Sequence, residues 1–488
     1  MHCRQPPRRP GWSTHVPLNI RQILQDHQNQ NYELHREHIN PQFARVLKTI
    51  GFDRVYTKAL GPHLWDAQGN KYLDFQGGYA VHNVGRNHPA VKKALIDFLQ
   101  EDYPTMVAFD APLLAGVLAA ELKKRMPNDL AYVFFTNSGT EGVEAAIKFA
   151  KCATQRPGVV YTRKAFHGLS SGSLSINGDE SFREGFGPFL PDCTMIPFDD
   201  LAALEQALAR RDVAALIVEP IQGKGVNMPA PGYLRDAAAL CRRHGTLFVA
   251  DEIQTGVGRT GTFLAIEHEP GDVDPDIVIL SKALSGGYVP VGAVLTRKAV
   301  WEKVFSSMER AIVHSSTFHQ GSLAMVAGLA VLRVMDEENI FANARLMGGR
   351  LIDGLRAMQP RYELIKDVRG RGLMIGVEFG LPKSGGSLSM RTGWSLIHKM
   401  DENLFPQAIV LPLMDDHHII TQVAGHHLDV VKLIPPLVIT EADVKWFLDA
   451  FEDVMRKLHQ FPGPVWEVMK KLGKHAMTRR SREPVAPS

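Results

Sequence analysis

Residues 276–294 read DIVILSKALSGGYVPVGAV. The apolar run Ile277–Leu280 predicts a short buried strand, and Gly286 with Gly287 predicts a turn after it. Lys282 stands just past the carboxyl end of that strand. A lone lysine in such a place usually faces solvent, but ligands of open α/β sheets bind beyond the carboxyl ends of the strands. Lys282 is therefore a candidate for a central crevice.

Upstream of this segment, further apolar runs alternate with helical patterns. This alternation predicts a mostly parallel sheet with right-handed helical crossovers. From residue 362 the pattern changes to a glycine-punctuated meander, RYELIKDVRGRGLMIGVEFG, and the helix EADVKWFLDAFEDVMRKL follows. We expect a smaller α+β domain there. The other predicted strands of the parallel sheet are Ala131–Thr136, Ala215–Glu219 and Leu247–Asp251.

Polar residues follow the predicted strands, and together they indicate one kind of site. A partly desolvated lysine such as Lys282 can form a Schiff base with an aldehyde. Asp251, at another strand end, could keep a pyridinium nitrogen protonated. Residues 137–140 (NSGT) open a helix whose N–H groups suit a phosphate, and residues 166–168 (FHG) could place a ring against a planar cofactor. In this order along one sheet, these residues predict a pyridoxal 5'-phosphate site.

Seven motifs between about Tyr79 and about Leu437 carry a resemblance to known proteins. They are FTNSGTEGVEAAIKFA (135–150), FHG (166–168), VEPIQGKG (218–225), FVADEIQTGVGRTG (248–261), DIVILSKALSGGYVPVGAV (276–294), HSSTFHQ (314–320) and VVKLIPPLVI (430–439). With these motifs the chain resembles the class III aminotransferases of pyridoxal phosphate fold type I, in particular the group acting on ornithine, acetylornithine, putrescine or 4-aminobutyrate. The first part of the chain more weakly resembles hopanoid side-chain aminotransferases.

The resemblance implies a large cofactor domain with a mostly parallel sheet plus a smaller α+β domain. It also implies a transaminase that moves an amino group from a donor, which we expect to be an ω-amine or amino acid, to an oxo acceptor. Lys282 would form the Schiff base and carry a 1,3-proton shift, and Asp251 would pair with the pyridine nitrogen. The cofactor-binding residues implied are Ser138, Gly139, Thr140, Phe166, His167, Glu219, Asp251, Gln254, Lys282 and Thr317.

The resemblance further implies a homodimer, because the residue matching Thr317 reaches the cofactor phosphate of the neighbouring subunit. Tyr79 matches a residue at the substrate entrance. Three other positions depart from the pattern of relatives that use 2-oxoglutarate: Leu169 and Lys432 stand where arginines are expected, and Lys224 where a glutamate is common. Lysine lacks the planar fork with which arginine grips carboxylates. We therefore expect an unusual amine or amino-aldehyde pair rather than full activity with 2-oxoglutarate.

Other functions stay open at this point. A racemase, aminomutase or amine lyase would share Lys282 and Asp251 and differ in where the proton returns. A pseudoenzyme or scaffold is a third reading, which the intact set of Lys282, Asp251 and Gln254 disfavours. The pairs His417-His418 and His426-His427 resemble a metal cluster, but their spacing matches no zinc motif, and we expect no metal there.

The composition argues against several other classes of protein. The 488 residues include 55 Lys plus Arg and 52 Asp plus Glu, a formal charge of +3, which supplies no basic field for nucleic acid. No stretch is apolar for long enough to predict a transmembrane helix, and four scattered cysteines predict no disulfide framework. A cytoplasmic setting is expected, with weak membrane-surface association through basic tails as an alternative.

The domain boundaries follow from the same pattern. The domains expected are a disordered tail at 1–30, an N-terminal part of the small domain at 31–78, the large cofactor-binding domain at 79–340, the C-terminal small domain at 341–470 and a basic tail at 471–488.

Overall fold

The fold is that of a computed structural model, which describes residues 18–382, 386–400, 404–460, 463 and 466. The chain divides into two compact units. The first comprises the described part of Met1–Thr57 together with Asp66–Gly69, and the second comprises Lys58–Trp65 and the described part of Asn70–Ser488. Within the first unit, the Tyr32 hydroxyl lies within hydrogen-bonding distance of two backbone carbonyls, 3.1 Å from that of Phe52 and 2.9 Å from that of Arg54.

Helices in the described residues have local sequence reasons to begin where they do. Ser138 precedes one of the longest, and its hydroxyl accepts a hydrogen bond from the Glu141 N–H. Thr440 and Asp443 form a capping box at the start of the last one. The helices are α1 (Ile20–Asp26), α2 (Asn31–His38), α3 (Pro41–Thr49), α4 (Gly77–Ala80), α5 (Pro89–Gln100), α6 (Leu113–Lys123), α7 (Gly139–Thr154), α8 (Ser171–Ser175), α9 (Leu201–Leu208), α10 (Tyr233–His244), α11 (Lys298–Val304), α12 (Ser322–Glu337), α13 (Ile340–Met358), α14 (Leu388–Met400), α15 (Gln407–Asp415) and α16 (Glu441–Leu458).

The strands form three sheets in the described part of the chain. Their orders are β1-β2-β3-β13, β4-β10-β9-β8-β7-β5-β6 and β11-β12-β15-β14. The strands are β1 (Tyr56–Leu60), β2 (His63–Asp66), β3 (Lys71–Asp74), β4 (Leu130–Thr136), β5 (Gly158–Thr162), β6 (Cys193–Ile196), β7 (Val213–Val218), β8 (Leu247–Asp251), β9 (Ile277–Leu280), β10 (Gly292–Arg297), β11 (Ile365–Arg371), β12 (Met374–Phe379), β13 (Ile419–Ile420), β14 (Gln422–Val423) and β15 (Val430–Leu433).

The seven-stranded sheet is mostly parallel, as the sequence predicted. Strand β10 runs antiparallel to both β4 and β9, whereas β9, β8, β7, β5 and β6 pair in parallel. Every residue of β7 and β9 is buried, so these strands read as unbroken apolar runs. Because the parallel strands share a direction, their carboxyl ends open onto the same edge of the sheet.

The third sheet is the predicted meander. Strand β12 pairs antiparallel with β11 and with β15, and β15 pairs antiparallel with β14. Helix α16 occupies 441–458, the segment in which the sequence predicted a closing helix. Its Phe447 stacks on Phe75 with ring centroids 4.3 Å apart, so the residues after β3 pack on the last helix.

One expectation does not hold in full. Residues 1–30 were expected to be a disordered tail, but Ile20–Asp26 form α1. The side chain of Asn19 accepts a hydrogen bond from the Gln22 N–H and caps this helix, and the Gln22 amide bonds the Asp26 carboxylate one turn later. Residues 1–17 and the whole basic tail at 471–488 lie outside the described residues. The predicted domain boundary at residue 340 stays a prediction.

Candidate active site

A cavity of about 580 Å³ lies at the carboxyl ends of β7, β8 and β9 and reaches strands β14 and β15 of the third sheet. We call it the central cavity. Eight of the predicted site residues line it: Tyr79, Phe166, Glu219, Lys224, Asp251, Gln254, Lys282 and Lys432. The other lining residues are Phe182, Gly223, Ile253, Gln407, Gln422, Val423, Ala424, Gly425 and His426.

Asp251 ends β8 and lies buried in the wall of the cavity. One carboxylate oxygen is 2.7 Å from Nδ1 of His167, and the other accepts a hydrogen bond from the Ile253 N–H at 3.1 Å. Burial of His167 disfavours its protonation, but the hydrogen bond and charge of Asp251 outweigh it and raise the pKa of the imidazole. The pair is therefore a carboxylate held in place and supported by a buried histidine.

Glu219 follows β7 and anchors two backbone segments of the site. Its carboxylate accepts hydrogen bonds from the N–H groups of Gly223, at 2.9 Å, and Phe166, at 3.0 Å. Burial raises the pKa of this carboxyl group, with His167 acting in the opposite direction. Glu219 thus fixes the aromatic Phe166 and the 219–225 turn on the same side of the cavity.

Lys282 lies two residues beyond β9, at the start of a short 3-10 helix. Its φ of 35° falls in the left-handed region, which costs a residue with a β-carbon conformational energy. Burial lowers the pKa of the amine, while the charges of Asp251 and Glu219 oppose that effect. A lysine with a lowered pKa at the wall of a cavity is suited to attack an aldehyde.

The predicted phosphate-binding residues lie at the start of α7, outside the cavity lining. Ser138 is the N-cap, and Gly139 and Thr140 form the first turn, so backbone N–H groups are directed out of the helix. The Thr140 hydroxyl is 2.7 Å from that of Ser173. Gly168 has a φ of 122°, and a β-carbon there would lie 2.4 Å from Thr140 Oγ1, so only glycine fits.

A second group of charges lies on and beside the 219–225 turn. Lys224 Nζ forms an ion pair with Asp179 and lies 4.1 Å from the ring centroid of Phe182 and 6.0 Å from that of Phe166. Burial lowers the pKa of Lys224, and Asp179 opposes the effect. Asp179 also caps the short 3-10 helix Glu180–Phe182 by accepting a hydrogen bond from the Ser181 N–H.

Lys432 lies on β15 and is buried beside the cavity. Its Nζ donates to the Gly223 carbonyl at 2.9 Å, and burial lowers its pKa to about 8. The residue opposite it on β14 is Gln422, so the two side chains share one face of the sheet. Gln422 Nε2 and Gln407 Oε1 are buried without a hydrogen-bond partner in the described part of the chain.

Some predicted residues lie elsewhere. Leu169 is 53% exposed, and it is not among the lining residues, so the predicted contact of this residue with substrate has no counterpart in the cavity wall. Thr317 is exposed and also lies outside the lining. Tyr79 lines the cavity and is 58% exposed, which places it at the mouth.

Four lining or supporting residues were not found from the sequence: Asp179, Phe182, Gln407 and Gln422. They belong to loops and short elements whose sequences carry no motif. Among the lining residues near them, the sequence had singled out Lys224, Lys432 and His426. His417, from the other pair, lies 2.9 Å from Asp453. In the residues that the structure describes, no cluster of three or more potential ligands could hold a metal ion, and no helix is long and apolar enough to cross a membrane.

The side chains around the cavity fit pyridoxal 5'-phosphate. Asp251 offers a carboxylate to a ring nitrogen, Lys282 offers an amine to an aldehyde, and buried Gln254 Oε1 has no partner among the described residues. A β-carbon on Gly223 would lie 2.6 Å from that oxygen, so the glycine leaves room beside it. The amine, carboxylate and helix N-terminus are the groups that an aldehyde, a pyridine and a phosphate need.

Most of this chain is similar to proteins of one known family. The family model for class III aminotransferases matches residues 48–455. The chain is 36% identical over 456 residues to the aminotransferase PigE of a Serratia species, covering 88% of this chain and 53% of that protein, so it spans about half the length of this curated relative.

Solved structures are similar over most of the chain. The ornithine aminotransferase of Toxoplasma gondii is 31% identical with a TM-score of 0.73, covering 83% of this chain and 91% of that one. An amine transaminase from an uncultivated Pseudomonas species, solved with pyridoxal phosphate bound, is 27% identical with a TM-score of 0.71, covering 83% and 95%. The chain belongs to the class III aminotransferases, a family of enzymes that depend on pyridoxal phosphate.

Proposed function

We propose that this chain is a pyridoxal phosphate-dependent transaminase that moves an amino group from an ω-amine or amino acid to an oxo acceptor. The observation that carries the proposal is the meeting of Lys282 and Asp251 in one cavity, with His167 buried behind the carboxylate. An amine with a lowered pKa and a supported carboxylate are the two groups that this chemistry cannot do without.

Bound pyridoxal phosphate would supply an aldehyde and an electron-withdrawing ring that acidifies the substrate carbon. Asp251 would hold a proton on the ring nitrogen, and His167 would keep Asp251 oriented. Gln254 would bind the phenolic oxygen. Phe166 would lie against the ring face, with Glu219 fixing its backbone.

Proton transfer would fall to Lys282. Burial lowers the pKa of its amine, so a neutral form that accepts a proton is accessible closer to neutral pH than for an exposed lysine. The side chain would take the proton from the substrate carbon and return it to a carbon of the cofactor, which is a 1,3-proton shift. Ser138, Gly139 and Thr140 would hold the phosphate through the start of α7 and so keep the reacting atoms within reach.

The substrate end of the cavity favours a largely apolar amine. Its wall includes the side chains of Phe182, Val423 and Ala424. Lys224 is already paired with Asp179, and Leu169 stands outside the lining. These features support an unusual amine or amino-aldehyde pair over a dicarboxylate such as 2-oxoglutarate.

A homodimer belongs to the same proposal, with Thr317 reaching the phosphate of the neighbouring site. Its support is the exposure of Thr317 together with that of large apolar residues around it in sequence, Met308 at 90%, Ile312 and Phe318. A second copy would cover such residues. Light scattering of the full chain checks the mass, and removal of the Thr317 hydroxyl should weaken cofactor retention.

The test of the reaction is a donor–acceptor panel with the enzyme loaded with pyridoxal phosphate. A transaminase yields one carbonyl product from the amine and one amine from the acceptor, in equal amounts. A racemase or aminomutase would yield neither, and a lyase would yield no new amine. High activity with 2-oxoglutarate at a micromolar KM would contradict the proposed substrate class, although not the reaction.

A further inference from the structure

An ion pair between Lys224 and Asp179 lies at the substrate end of the cavity. Lys224 lines the cavity, and its ammonium group is bound by Asp179. The side chains are only 11% and 20% exposed, so the pair is shielded from solvent. A shielded pair is screened weakly by salt and holds its partners more firmly than a surface one.

Asp179 is also fixed from its own side. Its carboxylate accepts hydrogen bonds from both the N–H and the hydroxyl of Ser181, at 2.9 and 2.6 Å. These bonds cap the 3-10 helix that carries Phe182, whose ring lies 4.1 Å from Lys224 Nζ. The carboxylate therefore does not need to reorganise in order to meet the lysine.

We propose that Asp179 is a specificity-determining residue that competes with acidic substrates for Lys224 and so disfavours dicarboxylates. The proposal deepens the function proposed above and rests on it for the identity of the substrate end of the cavity. A substrate carboxylate that reaches Lys224 must displace Asp179, which would then be left with its charge unpaired in a shielded place.

Lys432 is the second cation at this end of the cavity, and it does not remove the competition between Asp179 and an acidic substrate. Lys432 donates to the Gly223 carbonyl and forms no ion pair within the described residues, so it can receive one carboxylate. A dicarboxylate needs a partner for its other end as well. Lys224 is the other lysine on this side of the cavity, and it is already paired with Asp179. A substrate with one carboxylate or none meets no such obstacle.

The experiment compares the binding of glutarate with that of its uncharged diamide, glutaramide, to the full chain loaded with pyridoxal phosphate. Asp179→Asn removes the charge and keeps a side-chain oxygen that can cap the helix. We expect it to bind glutarate about tenfold more tightly, the lower end of what a hydrogen bond to a charged group contributes, and glutaramide within twofold of the wild type. Isothermal calorimetry measures both.

The matched control is Glu180→Gln, which removes the neighbouring negative charge from the same short helix. Glu180 is 77% exposed and pairs with Arg183 rather than with a lysine of the cavity. It should leave glutarate binding within twofold. Asp179→Ser, which can also cap, repeats the test if the asparagine variant unfolds at a lower temperature. In Asp179→Asn/Lys224→Met the gain should disappear.

The proposal is wrong if Asp179→Asn binds glutarate no more tightly than Glu180→Gln does, or if the gain persists without Lys224. Calorimetry needs no turnover, so these outcomes are separate from the proposed reaction. If the wild type transaminates no amine of the panel and Asp179→Asn still binds glutarate more tightly, the proposed function is contradicted. The inference about Asp179 is then still supported. In an active enzyme, kcat/KM for 2-oxoglutarate should rise with the glutarate affinity.

Discussion

Two walls of the central cavity differ in how their polar groups are satisfied. The cofactor wall, defined here as Glu219, Asp251 and Lys282, is built at strand ends, and its two carboxylates each receive two hydrogen bonds from the protein, counting the contact of Asp251 with His167. The substrate wall, defined as Lys224, Gln407, Gln422 and Lys432, retains two amide atoms without a partner in the described residues. The carboxylates of the first wall are hydrogen-bonded within the protein, whereas the second wall has amide groups with hydrogen-bonding capacity to spare.

In the proposed function, the cofactor wall carries the groups that act on the cofactor, and the substrate wall carries those that bind the substrate. A buried amide atom without a partner costs roughly 1–3 kcal/mol, and a ligand that supplies the missing hydrogen bond removes that cost. The Asp251 carboxylate, by contrast, already accepts hydrogen bonds from the protein that hold it in place. Changes in the cofactor wall should therefore reduce turnover with every substrate, whereas changes in the substrate wall should alter the ranking of substrates.

The largest effect is expected for Lys282→Ala. The variant lacks the amine that lines the cavity, so kcat should fall by about 10³-fold or more, since a positioned acid–base group contributes 10² to 10⁴. Steady-state rates with the best donor of the panel measure it. The control is Lys303→Ala, an exposed lysine on α11 that should leave kcat unchanged. Turnover within tenfold of the wild type would overturn the role of Lys282.

A smaller loss is expected for Asp251→Asn. An amide cannot keep a ring nitrogen protonated, and it no longer stabilises the charged form of His167, so kcat/KM should fall about 10²-fold. The fall should be similar for all donors, because the residue belongs to the cofactor wall. Asp272→Asn, an exposed carboxylate, is the control. A loss confined to one class of donor would place Asp251 in recognition instead.

The cofactor wall could be predicted from the sequence because each of its residues is next to a strand that the sequence marks clearly. Asp251 ends an apolar run, Lys282 follows another by two residues, and Glu219 follows a third. Parallel strands bring such positions together at one edge whatever the details of the connections. Helix α16 could also be predicted from the sequence, because its amphipathic pattern and its capping residues indicate the same helix.

The substrate wall could not be predicted to the same extent, because its contacts join segments far apart in the chain. Asp179 meets Lys224 across 45 residues, and Gln407 and Gln422 come from a helix start and a two-residue strand. Aspartate is common in loops, and the two glutamines belong to no motif, so neither residue type signals a role. The departures at Lys224 and Lys432 were visible in the sequence, but the partner of Lys224 depends on the tertiary fold.

The substrate wall should respond to pH through Lys432. Burial lowers the pKa of this amine to about 8, so it is charged below that value and loses its charge above it. Binding of a monocarboxylate such as pentanoate should weaken about tenfold between pH 7 and pH 9, as the charged fraction falls. Calorimetry at several pH values measures this.

Other amines of the cavity titrate too, because burial also lowers the pKa of Lys224 and of Lys282. Lys432→Arg isolates the effect, since arginine stays charged over this range. The variant should bind pentanoate with a much weaker pH dependence than the wild type. Parallel profiles for the two proteins would assign the dependence to another group.

The smallest effect is expected for Gln422→Met, which replaces the buried unpartnered amide by an apolar side chain of similar size. Removing an unsatisfied polar atom should stabilise the protein by about 1 kcal/mol, while the lost hydrogen bond to substrate should raise KM about fivefold. Gln206→Met, on the exposed surface of α9, is the matched control for both measurements. Stability and recognition should therefore move in opposite directions at Gln422. Denaturant unfolding that shows a loss of stability with an unchanged KM would mean that the Gln422 amide acts within the fold and does not bind the substrate.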